Sequence, residues 1–453
     1  MALRVRLPPS RPPSSTFVVT LTRDPERWTA GVRPRRDAAV ARVHAVATPL
    51  VRAARSRSHC PRAVEGSTVG LLVTVAIWAL FVALAVWLPS RAGRFGFTVF
   101  VLTLTCNEIP LVLLAVFVLS VTATLVCAES ADVVATSIAI GLAALVALAL
   151  VWLQIRARTA RPALAAALDA ALGSDGRVTR PLLPGTSTDL RTPWWRGILL
   201  PFQRHTATVE RTRGVPYAPG GRSHLLDIYR RDDGTTGRPV LIHLHGGGFV
   251  SGGKSRESVT LLNQLADHGW FCVSANYALR SEGAFPRSLV DTKRVIAWVR
   301  AHRDAHGTDP DQIFLAGASA GGHLAISAAL TPGDAQFQPG FEEVDTHVAG
   351  AVALYGYLGA RTADAASSPA NLARPDAPPL LIVHGAKDTA LPPGQARSVA
   401  ESLRSVSRSP VIYAELPDTQ HSFDLFASVR ARTVANAVES FLDRVRRSGG
   451  RGL

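Results

Sequence analysis

Three long apolar stretches dominate the first third of the chain. Residues 69–88 carry no charge, and further apolar stretches cover residues 95–128 and 135–153. About twenty apolar residues in a helix can cross a hydrocarbon core of about 30 Å. The middle stretch, interrupted by Asn107, Glu108 and Pro110, is long for one span and short for two. We predict a transmembrane helical region over residues 69–155, with the middle stretch either a tilted helix kinked at Pro110 or a helix plus a re-entrant piece.

The C-terminal half has a different pattern, in which short apolar runs alternate with amphipathic helical repeats. Val295, Ile296 and Val299 form one apolar helical stripe, and another recurs near the C-terminus over residues 434–445. The runs typical of strands cover residues 224–229, 239–243, 271–275, 313–316, 348–354, 379–383 and 411–415. This alternation predicts an α/β domain over residues 201–447, with a mostly parallel sheet flanked by helices.

The remaining segments are polar or mixed in composition. Residues 1–68 are rich in Arg and Pro and predict a disordered tail. Residues 156–200 predict a connector or a possible cap. The formal net charge is +15, but the 13 Arg and four acidic residues of the tail account for +9 of it. The rest of the chain has no basic run interleaved with aromatic residues, so we do not expect a nucleic-acid partner.

Charged residues at the ends of the apolar stretches bear on orientation. The third stretch leads into Arg156, Arg158 and Arg161. The positive-inside rule then favours an integral protein of the cell membrane whose C-terminal domain faces the cytoplasm. The basic tail also favours the cytoplasmic side. An odd number of spans places the tail and the C-terminal domain on opposite sides, so it cannot satisfy both preferences. Glu108, within the middle stretch, is either a functional carboxyl or the mark of an interfacial turn.

A Gly-x-Ser-x-Gly motif gives the chain its first candidate chemistry. Residues 313–316 form an apolar run, Gly317, Ser319 and Gly321 follow, and a helix of small residues comes next. A nucleophilic serine projects from a sharp strand-to-helix turn, where a side chain at either glycine position would clash with neighbouring elements. The N-terminus of the following helix favours negative charge that develops on a substrate oxygen.

A second motif, His245-Gly246-Gly247-Gly248, follows the run at residues 239–243. Consecutive glycines leave backbone N–H groups bare, so Gly246 and Gly247, together with Ala320 after the serine, are candidate oxyanion-hole donors. A flexible glycine loop and a phosphate-binding turn are the alternatives. The phosphate alternative lacks the spacing of a dinucleotide site or a P-loop.

Chain order then selects the partners of the serine. In a fold of this type the order is nucleophile, acid, histidine. His421 is the only histidine beyond residue 384, and Asp388 follows the strand at residues 379–383. We therefore predict a catalytic triad of Ser319, Asp388 and His421. The sequence has no cluster with metal-ligand spacing, so we predict no metal.

These motifs show which family the C-terminal domain resembles. The residues are Leu226-Asp227-Ile228-Tyr229, His245–Phe249, Asn276-Tyr277, Phe285-Pro286, Gly317–His323, the segment from Asp388 to Pro392, and His421–Phe423. With them the domain resembles the hormone-sensitive-lipase-related carboxylesterases and lipases, as a membrane-anchored member. The resemblance implies an α/β-hydrolase fold, esterase or lipase activity, no cofactor, a small cap over the site, and the triad and oxyanion residues named above. It does not cover residues 1–200.

Three functions are compatible with these residues. The first is hydrolysis of small-molecule or lipid carboxylic esters through an acyl-enzyme on Ser319. The second is an acyltransferase that passes the same acyl group to lipid or envelope components. The third is a non-catalytic membrane module, which the complete triad and glycine loop disfavour. The sequence favours the hydrolase.

Overall fold

The computed structural model describes residues 68–87, 96–126, 132–172 and 194–448. The predicted tail lies outside these residues, apart from Thr68. The α-helices are α1 (Thr68–Trp87), α2 (Gly96–Glu108), α3 (Pro110–Val126), α4 (Val133–Arg156), α5 (Ala160–Leu172), α6 (Trp194–Leu199), α7 (Val259–Asp267), α8 (Arg287–Ala301), α9 (Arg303–His306), α10 (Ala320–Leu330), α11 (Pro393–Val406) and α12 (Val429–Ser448). The strands are β1 (Glu210–Pro216), β2 (Leu225–Arg230), β3 (Arg238–Leu244), β4 (Phe271–Ala275), β5 (Thr308–Ala318), β6 (Gly350–Leu354), β7 (Leu380–Gly385) and β8 (Val411–Leu416).

All eight of these strands form one sheet, in the order β1-β2-β4-β3-β5-β6-β7-β8. The pairs from β4 through β8 are parallel, while β1 and β2 are antiparallel additions at one edge. Helices α8, α10 and α11 pack on one face, and α5, α7 and α12 pack on the other. The predicted α/β class is confirmed, and the strand order and layers are those of an α/β-hydrolase fold.

Burial on both faces explains why most strands could be recognised from their apolar runs. Every residue of β3, β4, β6 and β7 is buried. Strand β1 was not predicted, because its sequence Glu-Arg-Thr-Arg-Gly-Val-Pro is charged and its side chains are mostly exposed. A charged, exposed edge strand protects the sheet from pairing with other chains and leaves no apolar signal.

Part of the segment predicted as a connector or possible cap, residues 156–200, is helical. Helix α5 packs Ala160, Leu164 and Leu168 into the core beneath the sheet. Its Ala-rich sequence has an apolar stripe at helical spacing, which a connector does not need. Among the described residues of the segment, 156–172 and 194–200, none lines the pocket described below.

Two helical stretches, Thr68–Trp87 and Val133–Leu172, are long and apolar enough to cross a membrane. The pair formed by α2 and α3 is bent by 99° at Ile109. Such a bend is compatible with both predicted forms of the middle stretch, a helix kinked at Pro110 and a helix plus a re-entrant piece. Large apolar side chains are exposed along the outside of the helices; Leu119 is 70% exposed and Leu148 is 64% exposed.

Contacts between helix ends define the direction of each apolar helix. Arg156, at the end of α4, donates to the Asn107 side chain (2.7 Å) and to the Ala85 carbonyl (3.3 Å). At the opposite ends, the Asp132 N–H donates to the Thr68 hydroxyl (3.3 Å). Helices α1 and α4 thus run in the same direction toward the hydrolase domain, and α3 runs back beside them. Helix α2 lies at the end next to the hydrolase domain.

A buried ion pair joins this helical region to the hydrolase domain. Glu108, at the end of α2, pairs with Arg430 of α12, and both side chains are almost completely buried. The Ser428 hydroxyl also donates to Glu108 (2.6 Å). Buried charges are tolerated only when they are paired and hydrogen-bonded. Glu108 is therefore part of the joint between the two regions.

We predict that Arg430→Met lowers the free energy of unfolding by about 3–5 kcal/mol, because it leaves the Glu108 carboxylate buried without its cation. The measurement is denaturation of the purified protein in detergent. Arg397→Met is the matched control, since Arg397 and Glu415 form an exposed pair worth at most about 1 kcal/mol. Equal losses in the two variants would contradict a joint that depends on Glu108.

Candidate active site

Ser319 occupies the sharp turn between β5 and α10. Its backbone has φ 53° and ψ −115°, a conformation that residues with a side chain rarely adopt. Two backbone hydrogen bonds hold the turn: the Ser319 N–H donates to the Leu354 carbonyl (2.9 Å), and the Tyr357 N–H donates to the Ser319 carbonyl (3.1 Å). The strained turn raises the Ser319 side chain above the carboxyl end of the sheet.

The two glycines around Ser319 are required by close backbone contacts. A Cβ at Gly317 would overlap the backbone of Gly321, and a Cβ at Gly321 would overlap the carbonyl groups of Leu244 and His245. The clash predicted from the motif is therefore present at both positions. Helix α10 can cross β3 this closely only because these positions lack side chains.

The structure brings the three predicted triad residues together in one hydrogen-bonded line. The Ser319 Oγ lies 3.0 Å from His421 Nε2, and His421 Nδ1 lies 2.6 Å from Asp388 Oδ2. Asp388 and His421 are largely buried, at 4% and 7% exposed. An imidazole in this position can take the serine proton, and a carboxylate behind it orients the ring and stabilises its charged form.

Besides His421, three other groups contact the Asp388 carboxylate. Its Oδ1 accepts from the backbone N–H groups of Ala390 (2.9 Å) and Leu391 (2.7 Å), and His384 Nε2 lies 3.3 Å from its Oδ2. Burial alone would raise the pKa of Asp388, but the attraction to His421 and the hydrogen bonds from His384 and His421 outweigh it. The pKa is lowered, so Asp388 stays ionised at neutral pH.

A second set of buried residues supports His421 and was not found from the sequence. The Tyr355 ring meets the His421 ring edge to face, with centroids 4.6 Å apart. The Tyr355 hydroxyl and the Ser258 hydroxyl both donate to the carboxyl of Asp424. Burial raises the pKa of Asp424 despite these hydrogen bonds. Because these residues share no motif and come from three separate segments, only the fold reveals that they meet.

The glycine loop after β3 borders the same site. Gly247 has φ 124°, and a Cβ there would overlap the Ser251 carbonyl. Gly247, Gly248 and Ala320 line the pocket in front of Ser319, whereas Gly246 is not among the lining residues. Gly246 lies beneath them, where a Cβ would contact the Ser319 Cβ and the Ala318 carbonyl. The role of these N–H groups as oxyanion donors stays a prediction. Gly247 and Ala320 are better placed for it than Gly246, because they line the pocket.

The pocket in front of Ser319 has a volume of about 1150 Å³. One side is apolar, with Leu391, Leu425 and Phe426 from the hydrolase domain. Arg256, Arg280 and Arg361 line another side, together with Glu257. The Glu257 carboxyl is 3% exposed, and burial raises its pKa although Arg256 pairs with it. The pocket thus offers both an apolar surface and a charged one.

Helix α2 supplies a further part of the pocket wall, which the sequence did not predict. Phe100, Val101, Leu104 and Thr105 line the cavity, and the Phe100 ring lies 6.3 Å from the His421 ring.

Among the described residues, no group of three or more His, Cys, Asp and Glu side chains could hold a metal ion. The chemistry that this site supports is nucleophilic attack by Ser319.

Fold and site together define a serine hydrolase of the α/β-hydrolase class. The sequence matches the BD-FAE family over residues 226–360. It is 40% identical over 340 residues to a probable carboxylic ester hydrolase, LipM of Mycobacterium tuberculosis, which covers 67% of this chain and 77% of that protein. It is also 40% identical over 281 residues to the esterase LipQ of the same organism, covering 55% of this chain and 66% of that protein.

A shorter match connects the chain to the mammalian enzymes of the family. The hormone-sensitive lipase of Mus musculus is 37% identical over 93 residues, 20% of this chain and 12% of that protein. The chain belongs to the hormone-sensitive-lipase-related family of carboxylic ester hydrolases, as its HGGG and GxSxG motifs predicted.

We predict that Gly321→Ala destabilises the protein by more than about 3 kcal/mol, because the added methyl group meets backbone atoms that cannot move aside. Thermal unfolding of the purified protein measures the loss. Gly394→Ala is the control, since a Cβ at Gly394 meets nothing within 4 Å. We expect its effect to lie within about 1 kcal/mol of zero. A Gly321→Ala protein as stable as Gly394→Ala would contradict the close crossing of α10 and β3.

Proposed function

We propose that this protein is a membrane-anchored serine hydrolase that cleaves carboxylic esters through an acyl-enzyme on Ser319. The observation that carries the proposal is the hydrogen-bonded line from Ser319 through His421 to Asp388, in a chain that belongs to a family of ester hydrolases. Ester hydrolysis needs no group beyond such a triad, donors for the oxyanion, and water.

In the proposed reaction, Ser319 Oγ attacks the ester carbonyl while His421 Nε2 takes its proton. Backbone N–H groups of Gly247 and Ala320, with Gly246 or Gly248, stabilise the oxyanion of the tetrahedral intermediate. His421 then protonates the leaving alcohol, and an acyl-enzyme remains. Water, deprotonated by His421, releases the acid and restores the serine. Asp388 stays ionised throughout and stabilises the imidazolium.

The anchor consists of α1, α3 and α4. Helix α3 has 17 residues and is about 26 Å long, which makes it the shortest of the three. With three spans, the ends of α1 and α4 next to the hydrolase domain lie on one side of the membrane, and the start of α1 lies on the other. The exposed Arg158 and Arg161 follow α4, so the hydrolase domain lies on the cytoplasmic side of the cell membrane.

We predict that Ser319→Ala lowers kcat for a p-nitrophenyl ester by roughly 10⁴-fold or more and abolishes labelling by a fluorophosphonate probe. Ser327→Ala is the matched control, because Ser327 is a buried serine on the same helix, outside the pocket. It should keep both activities. Hydrolysis that survives the loss of Ser319 unchanged would refute the proposed mechanism.

The orientation has a separate test in the parent cell. A fluorescent protein that folds only in the cytoplasm should fluoresce when fused after residue 453, because the C-terminus follows the hydrolase domain. The same protein fused before residue 68 should stay dark, since three spans put the two ends on opposite sides. The reverse pattern would show a hydrolase domain outside the cytoplasm, and fluorescence from both fusions would contradict three spans.

A further inference from the structure

The pocket wall formed by α2 comes from the apolar helical region. Phe100, Val101 and Leu104 lie on the face of α2 that is turned toward His421 and Ser319. These residues precede the hydrolase domain by about a hundred positions, outside the motifs that define its family. The hydrolase fold therefore provides the reacting groups, while a membrane helix provides part of the surface that an acyl chain would contact.

Two further contacts fix α2 against the hydrolase domain. The Gln420 side chain, next to His421, donates to the Thr103 hydroxyl (3.3 Å) and to the Thr389 hydroxyl (2.8 Å). At the end of α2, Glu108 forms the buried pair with Arg430. Helix α2 is thus attached to the hydrolase domain at Thr103, within the pocket wall, and at its C-terminal end, so this part of the wall has a defined position relative to Ser319.

Some of the exposed apolar side chains of the hydrolase domain lie at the pocket or next to it. From residue 194 onward in the described chain, large apolar side chains are exposed at Leu200, Phe202, Val250 and Val406. Val250 lines the pocket, and the Phe202 ring packs against Phe426, which also lines it (centroids 5.9 Å apart). Val101 of α2 is 41% exposed and lines the pocket too. Exposed apolar side chains concentrated at one opening are typical of a surface that meets lipid or a partner.

The level of this opening relative to the bilayer follows from α2. Asn107 contacts Arg156 at the end of α4, and Arg156 also contacts Ala85 near the end of α1. Helix α2 therefore lies where α1 and α4 leave the hydrocarbon core on the side of the hydrolase domain. A pocket that has α2 as its wall opens at the membrane surface, and lipid is the apolar occupant that is present there.

We infer that the pocket takes its substrate from the bilayer: a membrane lipid ester whose long acyl chain lies along α2, with Val101 and Leu104 determining which chain lengths fit. This inference rests on the proposed hydrolase function. The volume of about 1150 Å³ exceeds the roughly 300–1,000 Å³ of pockets for drug-sized ligands. Since lipid tails are as apolar as the wall, moving a chain from bilayer to pocket gains little, and the wall selects by shape.

The first test enlarges the side chains of the wall. Val101→Trp and Leu104→Trp should each lower the ratio of kcat/KM for p-nitrophenyl palmitate to that for p-nitrophenyl acetate at least tenfold, in protein reconstituted in lipid nanodiscs. Leu102→Trp is the matched control, because Leu102 lies on the same helix but does not line the pocket; its ratio should equal that of the wild type. Unchanged ratios in both pocket variants would overturn the inference.

The second test locates the acyl chain in the wild-type protein and does not depend on catalytic turnover. A fluorophosphonate with a sixteen-carbon chain and a diazirine at its end is reacted with the wild-type protein, and light then crosslinks the chain end to its neighbours. Mass spectrometry should find crosslinks within residues 100–105. Labelling of Ser319 with crosslinks only in the hydrolase domain would overturn the inference and leave the proposed function intact. No reaction at Ser319 would instead reject the proposed function, and the inference with it.

Discussion

The crossing of α10 over β3 is the constraint on which the site depends. Ser319 can stand at a positive φ because the helix that follows it passes against backbone atoms of Leu244 and His245, at a distance that excludes a Cβ at Gly321. The same crossing brings the glycine loop after β3 next to the start of α10. A looser crossing would move both the serine and the candidate oxyanion donors away from each other, and the geometry required for attack would be lost.

Around that crossing, the ends of parallel strands collect the remaining groups. Asp388 follows β7 and His421 follows β8, so both loops reach the edge of the sheet where β5 ends at Ser319. The support of His421 is also distributed, since Tyr355 follows β6 and Asp424 lies just beyond His421. Parallel strands explain how residues more than a hundred positions apart, such as Ser319 and His421, form one hydrogen-bonded line.

The joint between the apolar helices and the hydrolase domain contains buried polar and charged groups. Glu108 pairs with Arg430 across this joint, and Arg156, which contacts Asn107 within the helical region, also lies 3.6 Å from Asp418. Such pairs add little net stability but strongly penalise arrangements that separate them. They therefore define one position of α2 relative to the hydrolase domain. A purely apolar contact could instead form in several relative positions.

The sequence by itself determined the local features, because each depends on neighbouring residues. Short sequence patterns predict the apolar stretches, the buried strands and the strained turn at Ser319. Chain order then identifies Asp388 and His421 as the partners of Ser319. Strand β1 was not predicted, since an exposed charged strand gives a weak local signal. Helix α5 was not predicted although its apolar stripe is visible in the sequence. Only the tertiary structure decided that Tyr355 and Asp424 support His421, and that α2 borders the pocket. These contacts join segments far apart in the chain, and the packing of those segments is not encoded in any one of them.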